Sequence, residues 1–316
     1  MAIIGTDLDR ARSIILNNGV VGIPTETVYG LAGNALSEEA ILKIYEVKNR
    51  PRFDPLIAHS NSLEKIKDLV IDLPQKAEML ANYFWPGPLT LLLGKNKKIP
   101  DLLTSGHPKV AVRIPDHPLT LDLLKQFEFP LAAPSANPFG YVSPTKAEHV
   151  NHQLGGKIQY ILNGGTCVVG VESTIIGFEE EMPVVHRLGG VTLEEIEKIV
   201  GEVKVELNSS SNPAAPGMLK SHYSPGRSLI LGDIGQNLES RDSKSTGVIS
   251  LSQKFDVPIA NQFILSEDGD LQEAAKNIFL ALRAMDQPHI KEVLAAPVPE
   301  EGLGRAINDR LRRASV

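Results

Sequence analysis

The stretch from Val20 to His59, VVGIPTETVYGLAGNALSEEAILKIYEVKNRPRFDPLIAH, constrains the fold of this chain more than any other. Val20, Val21 and Ile23 read as a buried strand that Pro24 ends, because proline has no N–H to give to a sheet ladder. A loop crowded with side-chain oxygens follows, carrying Thr25, Glu26, Thr27 and Tyr29. Ser37 is placed to cap a helix, Glu38 and Glu39 suit the positive end of its dipole, and Ala40, Ile41, Ile44 and Val47 recur at helical spacing. Pro51 biases Arg50 away from helical angles, so the helix stops near Lys48, and Lys48, Asn49 and Arg50 fall where the chain leaves it. Leu56, Ile57 and Ala58 then form a short strand that delivers His59. Such a strand-loop-helix-loop-strand unit predicts a small cavity with hydroxyls at one lip and a cation pair at the other. That arrangement suits a ligand with both a polar organic part and phosphates.

The rest of the chain interleaves helices and strands. Asp7 to Asn18 reads as an amphipathic helix stopped by Gly19. Ser62 to Val70 and Pro74 to Phe84 read as helices, Pro74 at a first-turn position where its missing N–H costs nothing. Strands are predicted at Leu89 to Leu93, Val110 to Ile114, Leu131 to Ala133, Lys157 to Leu162, Thr174 to Phe178 and Pro183 to Arg187. Helices are predicted at His117 to Gln126, Thr145 to Leu154 and Thr192 to Val200. Several strands follow one another without a helix between them, which favours an α/β or α+β fold with a mixed sheet over a fully parallel one.

At 316 residues about two domains are expected, and the composition marks where they divide. From Leu207 to Ser228 the chain is rich in Ser, Asn, Pro and Gly and lacks apolar periodicity, so residues 207–228 read as a linker between units 1–206 and 229–316. The second unit is again α/β, with strands at Leu229 to Leu231, Gly247 to Leu251, Phe263 to Leu265 and near Lys291 to Ala295. Helices run from Asp270 to about Met285 and through Ala306 to Arg313. With 42% hydrophobic residues the chain supports a real core, and its net charge of -6 means that any contact with RNA would depend on a local basic patch. Cys167 is the only cysteine, which excludes an internal disulfide and a cysteine-rich metal site. Asp7 and Asp9 stand where a signal peptide needs a positive start, and no run approaches the ~18 apolar residues of a membrane helix. A cytoplasmic protein without membrane contact is the expectation.

Several motifs carry candidate chemistry. Ser135-Ala136-Asn137, with Ser143-Pro144-Thr145 beyond it, can hold phosphate or ribose oxygens, although the same residues also make ordinary turns. Gly164 to Thr174 superficially suggests a phosphate loop. Val171-Glu172 stands where that motif needs Lys followed by Ser or Thr, so the P-loop reading is rejected. Arg113 and Arg187 each place a cation at a strand exit. His149 and His152 lack acidic or thiol partners and read as surface residues, not metal ligands. Cys167 reads as a small buried hydrophobe, and no nucleophile-elbow pattern surrounds Ser135.

Pro24 to Leu31, Lys48 to Pro51, and Pro55 with Leu56 together resemble the YrdC-like family of threonylcarbamoyl-AMP synthases, whose members carry Pro-Thr-Glu-Thr-x-Tyr-Gly-Leu, Lys-x-Arg-Pro and Pro-Leu. The resemblance covers the whole chain: a YrdC-like twisted mixed sheet with flanking helices, a linker, and the smaller Rossmann-like C-terminal domain of the long form, with GRAINDRL at Gly304 to Leu311 as its closing motif. It implies that L-threonine, bicarbonate and ATP are joined into threonylcarbamoyl-AMP with release of pyrophosphate, for transfer by partner proteins to adenosine beside the anticodon of certain tRNAs. By the same resemblance Lys48 and Arg50 are the catalytic pair, and Lys48, Arg50, Asp54, Lys109, Ser135, Asn137, Ser143, Arg187 and Tyr223 hold ATP. Thr27, His59, Arg113, Ala133 and Ser173 line the threonine pocket, Arg113 clamping the carboxylate. Magnesium is expected on the triphosphate, with few protein ligands.

Two departures from the family pattern stand out. Gly177 replaces a common Asp, and Leu219-Lys220-Ser221 ahead of His222-Tyr223 lacks a Tyr and an Arg that the family usually has there. Two alternatives accompany this reading. One is a double-stranded RNA-binding or ribosome-maturation module of the same fold, binding tRNA or other structured RNA. The other is carbamoyl transfer of the hydrogenase-maturation kind, which normally comes with zinc-finger cysteines that this chain does not have.

Overall fold

Two sheets, one large and mixed and one small and parallel, organise the computed structural model, which describes residues 1–207, 223 and 226–315. In chain order the first unit contains β1 (Ile3–Gly5), α1 (Leu8–Leu16), β2 (Val21–Ile23), β3 (Gly30–Asn34), α2 (Glu38–Lys48), β4 (Ile57–His59), α3 (Leu63–Lys67) and α4 (Gln75–Phe84). It continues with β5 (Leu89–Gly94), β6 (Lys109–Arg113), α5 (Pro118–Leu124), β7 (Leu131–Ala132), α6 (Ala147–Leu154), β8 (Tyr160–Leu162), β9 (Thr174–Glu179), β10 (Met182–Arg187), α7 (Leu193–Val200) and β11 (Lys204–Val205). The second unit contains β12 (Ser228–Leu231), α8 (Ile234–Leu238), β13 (Thr246–Ser250), β14 (Gln262–Ile264), α9 (Leu271–Ala284), β15 (Glu292–Ala295) and α10 (Gly304–Ala314).

The large sheet runs β1-β8-β2-β3-β7-β4-β6-β5-β9-β10-β11 and the small one β12-β15-β13-β14, with every pairing in the small sheet parallel. Local chemistry explains several boundaries. Asp7 caps α1, Ser37 caps α2 and accepts from the Ala40 N–H, and Thr192 with Glu195 forms a reciprocal capping box at α7. Helix α2 ends at Asn49, which takes the left-handed conformation that Asn tolerates, and this sends Arg50 back toward the sheet.

The structure corrects the loop reading of residues 24–36. The chain enters β3, which pairs antiparallel with β2 and with β7, before it reaches α2. Gly-Leu-Ala-Gly-Asn has no β-branched or aromatic residue, so it gives no strand signal. It is a strand because its neighbours fill both sides, and a side chain at Gly33 would press on Val20 and Ile44 at 3.3 and 3.4 Å. The short edge strands β1 and β11 and the one-turn helix α8 were likewise absent from the sequence reading. The predicted helix 62–70 ends earlier, at Lys67.

The cores interlock. The first unit buries Tyr29, Leu31, Ile41, Ile44, Leu91 and Val112 against the large sheet. The second core packs Phe279, Leu282, Val293 and Leu311 together with Val28, Val142 and Val171 from the first unit. Burial of those three valines ties the small sheet to the rim of the large one.

Candidate active site

The side chains that matter converge where strands of the large sheet end. Parallel β4 and β6 are in register with His59 opposite Arg113, so both residues leave the sheet at the same level. Strand β7 ends beside them and delivers Ala133, Pro134 and Ser135, while Ser135 bridges back to Gly30. Ser173 precedes β9, and Arg187 closes β10. Together they line one cleft that includes Thr25, Thr27, Arg50, His59, Arg113, Ser135, Glu172, Ser173, Arg187 and Tyr223. Open α/β sheets commonly take ligands at strand ends of this kind.

Three guanidiniums are fixed in this cleft by their inner edges. Arg113 donates from Nε to Gly87 O (3.2 Å) and from Nη2 to Glu26 Oε1 (2.6 Å) and Thr27 Oγ1 (3.0 Å). Arg50 donates from Nε to Asp54 O (3.0 Å) and from Nη2 to Pro55 O (2.9 Å), and Nη2 forms an ion pair with the Asp54 carboxylate (2.8 Å). Arg187 donates to Ser173 O from both Nε (3.0 Å) and Nη2 (2.8 Å), and also to Ser173 Oγ (3.0 Å). Buried arginines held this way need no reorganisation to meet an anion, which is the arrangement that makes charge stabilisation effective.

Burial decides the protonation states. Desolvation, with Arg113 beside it, pushes His59 down to about 3, so its ring is neutral. Asp54 is pushed up by burial against the pull of Arg50. Burial also works against a charge on Glu172, but Arg310, Arg187 and the Ser143 hydroxyl outweigh it and hold this carboxyl at about 2. Burial lowers Arg187 to about 10, which leaves it cationic at neutral pH.

The other expected contacts stand behind or outside the cleft wall. Lys48 is buried at the end of α2, and its ammonium donates to Ser135 O and Asn137 O, each at 2.5 Å. It shapes the 135–137 loop and does not line the cleft. Asn137 donates to Pro138 O (2.9 Å) and Tyr141 O (2.8 Å), while its Oδ1 is buried without a partner. Ser143 gives its hydroxyl to Glu172 Oε1 (2.6 Å). Lys109 begins β6, the strand that Arg113 ends, and its ammonium turns away to Phe178 O (3.1 Å). Tyr223 is buried in the cleft wall, whereas His222 and residues 216–221 lie outside the described residues.

Two acids were not given roles by the sequence reading. Glu26 is the buried partner of Arg113, and Glu172 joins Ser143 to Arg310 through hydrogen bonds of 2.6 and 2.9 Å. Glu172 was visible only as the residue that ruled out a P-loop. The signal for it was an acid amid small residues just ahead of a buried strand, with no solvent-facing reason to be charged.

A cleft that gathers hydroxyls and a neutral imidazole around Arg113, with Arg50 and Arg187 also fixed in its lining, is the class of site that suits a small polar molecule next to a polyanion. Known proteins give this class a family. Residues 13–189 match the Telomere recombination family (Sua5/YciO/YrdC), and residues 191–316 match the threonylcarbamoyl-AMP synthase C-terminal domain. The threonylcarbamoyl-AMP synthase of Pyrococcus abyssi is 42% identical over 96% of this chain and 93% of its own length. That of Bacillus subtilis is 39% identical over 97% and 92%. The crystal structure of P. abyssi Sua5 complexed with L-threonine superposes with a TM-score of 0.92 at 41% identity, covering 99% of this chain and 98% of that one. The chain therefore belongs to the threonylcarbamoyl-AMP synthase family in its long, two-domain form.

Proposed function

We propose that this protein forms L-threonylcarbamoyl-AMP and pyrophosphate from L-threonine, bicarbonate and ATP. The observation that carries the reading is the shared cleft: Thr27, Arg50, His59, Arg113, Ser135, Ser173, Arg187 and Tyr223 come from eight separate places in the chain and line one space. The deprotonated amine of threonine attacks the bicarbonate carbon, and loss of water leaves a carbamate. A carbamate oxygen then bonds to the α-phosphorus of ATP in line as the bond to the bridging oxygen breaks and pyrophosphate departs. Such a reaction needs positioning and charge neutralisation more than it needs a nucleophilic side chain.

In this reading Arg113 takes the threonine carboxylate, with Thr27, Ser173 and the backbone at Ala133 around it. Neutral His59 adds no positive charge to repel the amine. Arg50, Arg187 and Ser135 face the triphosphate, with Tyr223 closing over the nucleotide, while Lys48, Asp54, Asn137 and Ser143 act from behind. Magnesium enters as part of the substrate, on the phosphate oxygens. Among the described residues no three of His, Cys, Asp and Glu gather closely enough to hold a metal ion, and Glu26, Asp54 and Glu172 each pair with an arginine. The product is a mixed anhydride, so a transferase acting on tRNA adenosine is the class of partner that consumes it.

The test is pyrophosphate release by purified protein without RNA. Release that requires both threonine and bicarbonate is expected. Release independent of threonine, or none at all while structured RNA is bound in a salt-sensitive way, would replace the reading with that of an RNA-binding module.

A further inference from the structure

One of the contacts between the two units ends at the cleft. Arg310, in the middle of α10, is fully buried, and its guanidinium leaves the second unit to contact the first at two points. Nε donates to Glu172 Oε2 (2.9 Å), and Nη2 donates to Leu188 O (2.8 Å). Glu172 adjoins Ser173, and Leu188 adjoins Arg187, so these two contacts grip both strands that carry the Arg187–Ser173 hydrogen bonds. Through the other oxygen of Glu172 the same connection continues to Ser143 (2.6 Å).

Tyr223 is held by the same unit. Its ring stacks on Phe279 of α9 with centroids 5.4 Å apart, and the Arg310 guanidinium lies 5.2 Å from the ring centre on a cation–π contact. A ring between an aromatic surface and a fixed cation has little freedom to leave the cleft wall.

Resting on the proposed reaction, we propose that Arg310 is a positioning residue for the nucleotide half of the site. It sets Ser143, Arg187 and Tyr223 together by way of Glu172, Leu188 and the tyrosine ring; of the threonine-side groups only Ser173 lies next to this connection, while Thr27, His59 and Arg113 are held within the first unit. The second unit is then part of the nucleotide site and more than an anchor for the linker. The three groups that Arg310 governs were expected to hold ATP. The three threonine-side groups rest on hydrogen bonds and strand pairings internal to the first unit.

The chemistry of the contact shapes the test. Lysine in place of Arg310 keeps the charge that balances Glu172, but one ammonium cannot reproduce the planar fork that meets Glu172 and Leu188 O together. Arg310→Lys should therefore fold. The measurement is binding of a non-hydrolysable ATP analogue and of L-threonine, each alone, by titration calorimetry, with thermal melting alongside. Nucleotide affinity is expected to fall tenfold or more while threonine affinity stays within threefold. Arg310→Met paired with Glu172→Gln, which removes both charges, should show the same split.

Equal losses of both affinities would reduce Arg310 to a structural part, and unchanged nucleotide affinity in the folded lysine variant would overturn the inference. Wild-type protein that binds both ligands but releases no pyrophosphate would sink the proposed reaction alone, since binding reads this inference directly.

Discussion

At the scale of single residues, the cleft shows how one guanidinium can be committed and still available. Arg50 spends Nε and Nη2 on Asp54 and Pro55, and this fixes the direction of the remaining edge. Arg50→Ala is expected to lower threonine-dependent pyrophosphate release about a hundredfold or more, the usual effect of losing one preorganised donor. Because burial already pushes Asp54 up, the stranded carboxyl takes a proton instead of remaining a bare charge, and the variant should stay folded. Release within threefold of wild type would remove Arg50 from the mechanism. His59 carries a second prediction. Its folded value of about 3 lies below the ordinary 6.5, so the unfolded chain takes up a proton first as pH falls. The stability it confers is complete above 6.5 and lost progressively down to about 3. Between pH 6.5 and 4.5 the loss is about 2 kcal/mol, from ~1.4 kcal/mol per unit. The contribution of Glu172, depressed from 4.5 to about 2, starts to fade at the acid end of that window and does so equally in wild type and in His59→Gln. Denaturant unfolding at both pH values should show a smaller loss in His59→Gln than in wild type, and taking the difference cancels the other buried groups, His149, His186 and Asp54. Parallel losses would mean that His59 is not the buried base described. Arg113, Arg187 and Ser135 were legible in the sequence because each stands near a strand end with Pro or Gly within two residues, and Arg50 because Pro51 follows it where α2 ends. Glu26 and Glu172 were not, because a carboxylate's partner across more than eighty residues leaves no local pattern.

At the scale of elements, the strand-loop-helix unit from Val20 to His59 was readable because its boundaries are set by local chemistry: Pro24, the Ser37 cap, the apolar stripe of α2 and the turn before Pro51. Strand β3 was not, because its pairing partners and the need for small residues at Gly30 and Gly33 are imposed by packing. Gly170 is a similar case with a sharper consequence. Its φ of +81° is left-handed, and a side chain there would press into the backbone of α9, with Lys276 O at 2.6 Å and Ala275 O at 2.7 Å. Neither atom can rotate aside as a side chain does. Gly170→Ala therefore forces the 164–173 loop and α9 apart and adds left-handed strain of about 1–2 kcal/mol. A total loss of about 2 kcal/mol or more is expected once overpacking is included. Thermal melting reads it, and a variant that melts with the wild type would show that α9 does not seat on this glycine. A matched Gly269→Ala change, at a left-handed glycine with open space around it, isolates the strain from the clash.

At the scale of the whole molecule, the question is whether the second unit is separable. The division at residues 207–228 was read from composition, and composition reports a change in the chain without reporting what the two sides share. Val28, Val142 and Val171 of the first unit belong to the second core, Arg283 donates to Ser143 O at 3.3 Å, and Arg310 reaches Glu172 and Leu188. A chain ending at Glu206 loses all of these together. Two effects then compete at Glu172. Removing Arg310 takes away its partner, which in a closed interior costs about 3–5 kcal/mol. Removing α10 also lets water in, and a rehydrated carboxylate needs no ion pair. Water wins at that residue, so the cost moves to the uncovered valines, which have no polar alternative and gain nothing from solvent. The expected result is a chain of residues 1–206 that retains the large sheet by circular dichroism, melts at a lower temperature and exposes an apolar patch that binds a hydrophobic dye. Its threonine binding should persist, while nucleotide affinity falls at least tenfold, because Ser143 and Arg187 lose the clamp between them and Tyr223 is gone. A truncated chain that keeps the wild-type melting temperature and both affinities would mean that the shared core contributes nothing to the cleft and that the two units are merely adjacent.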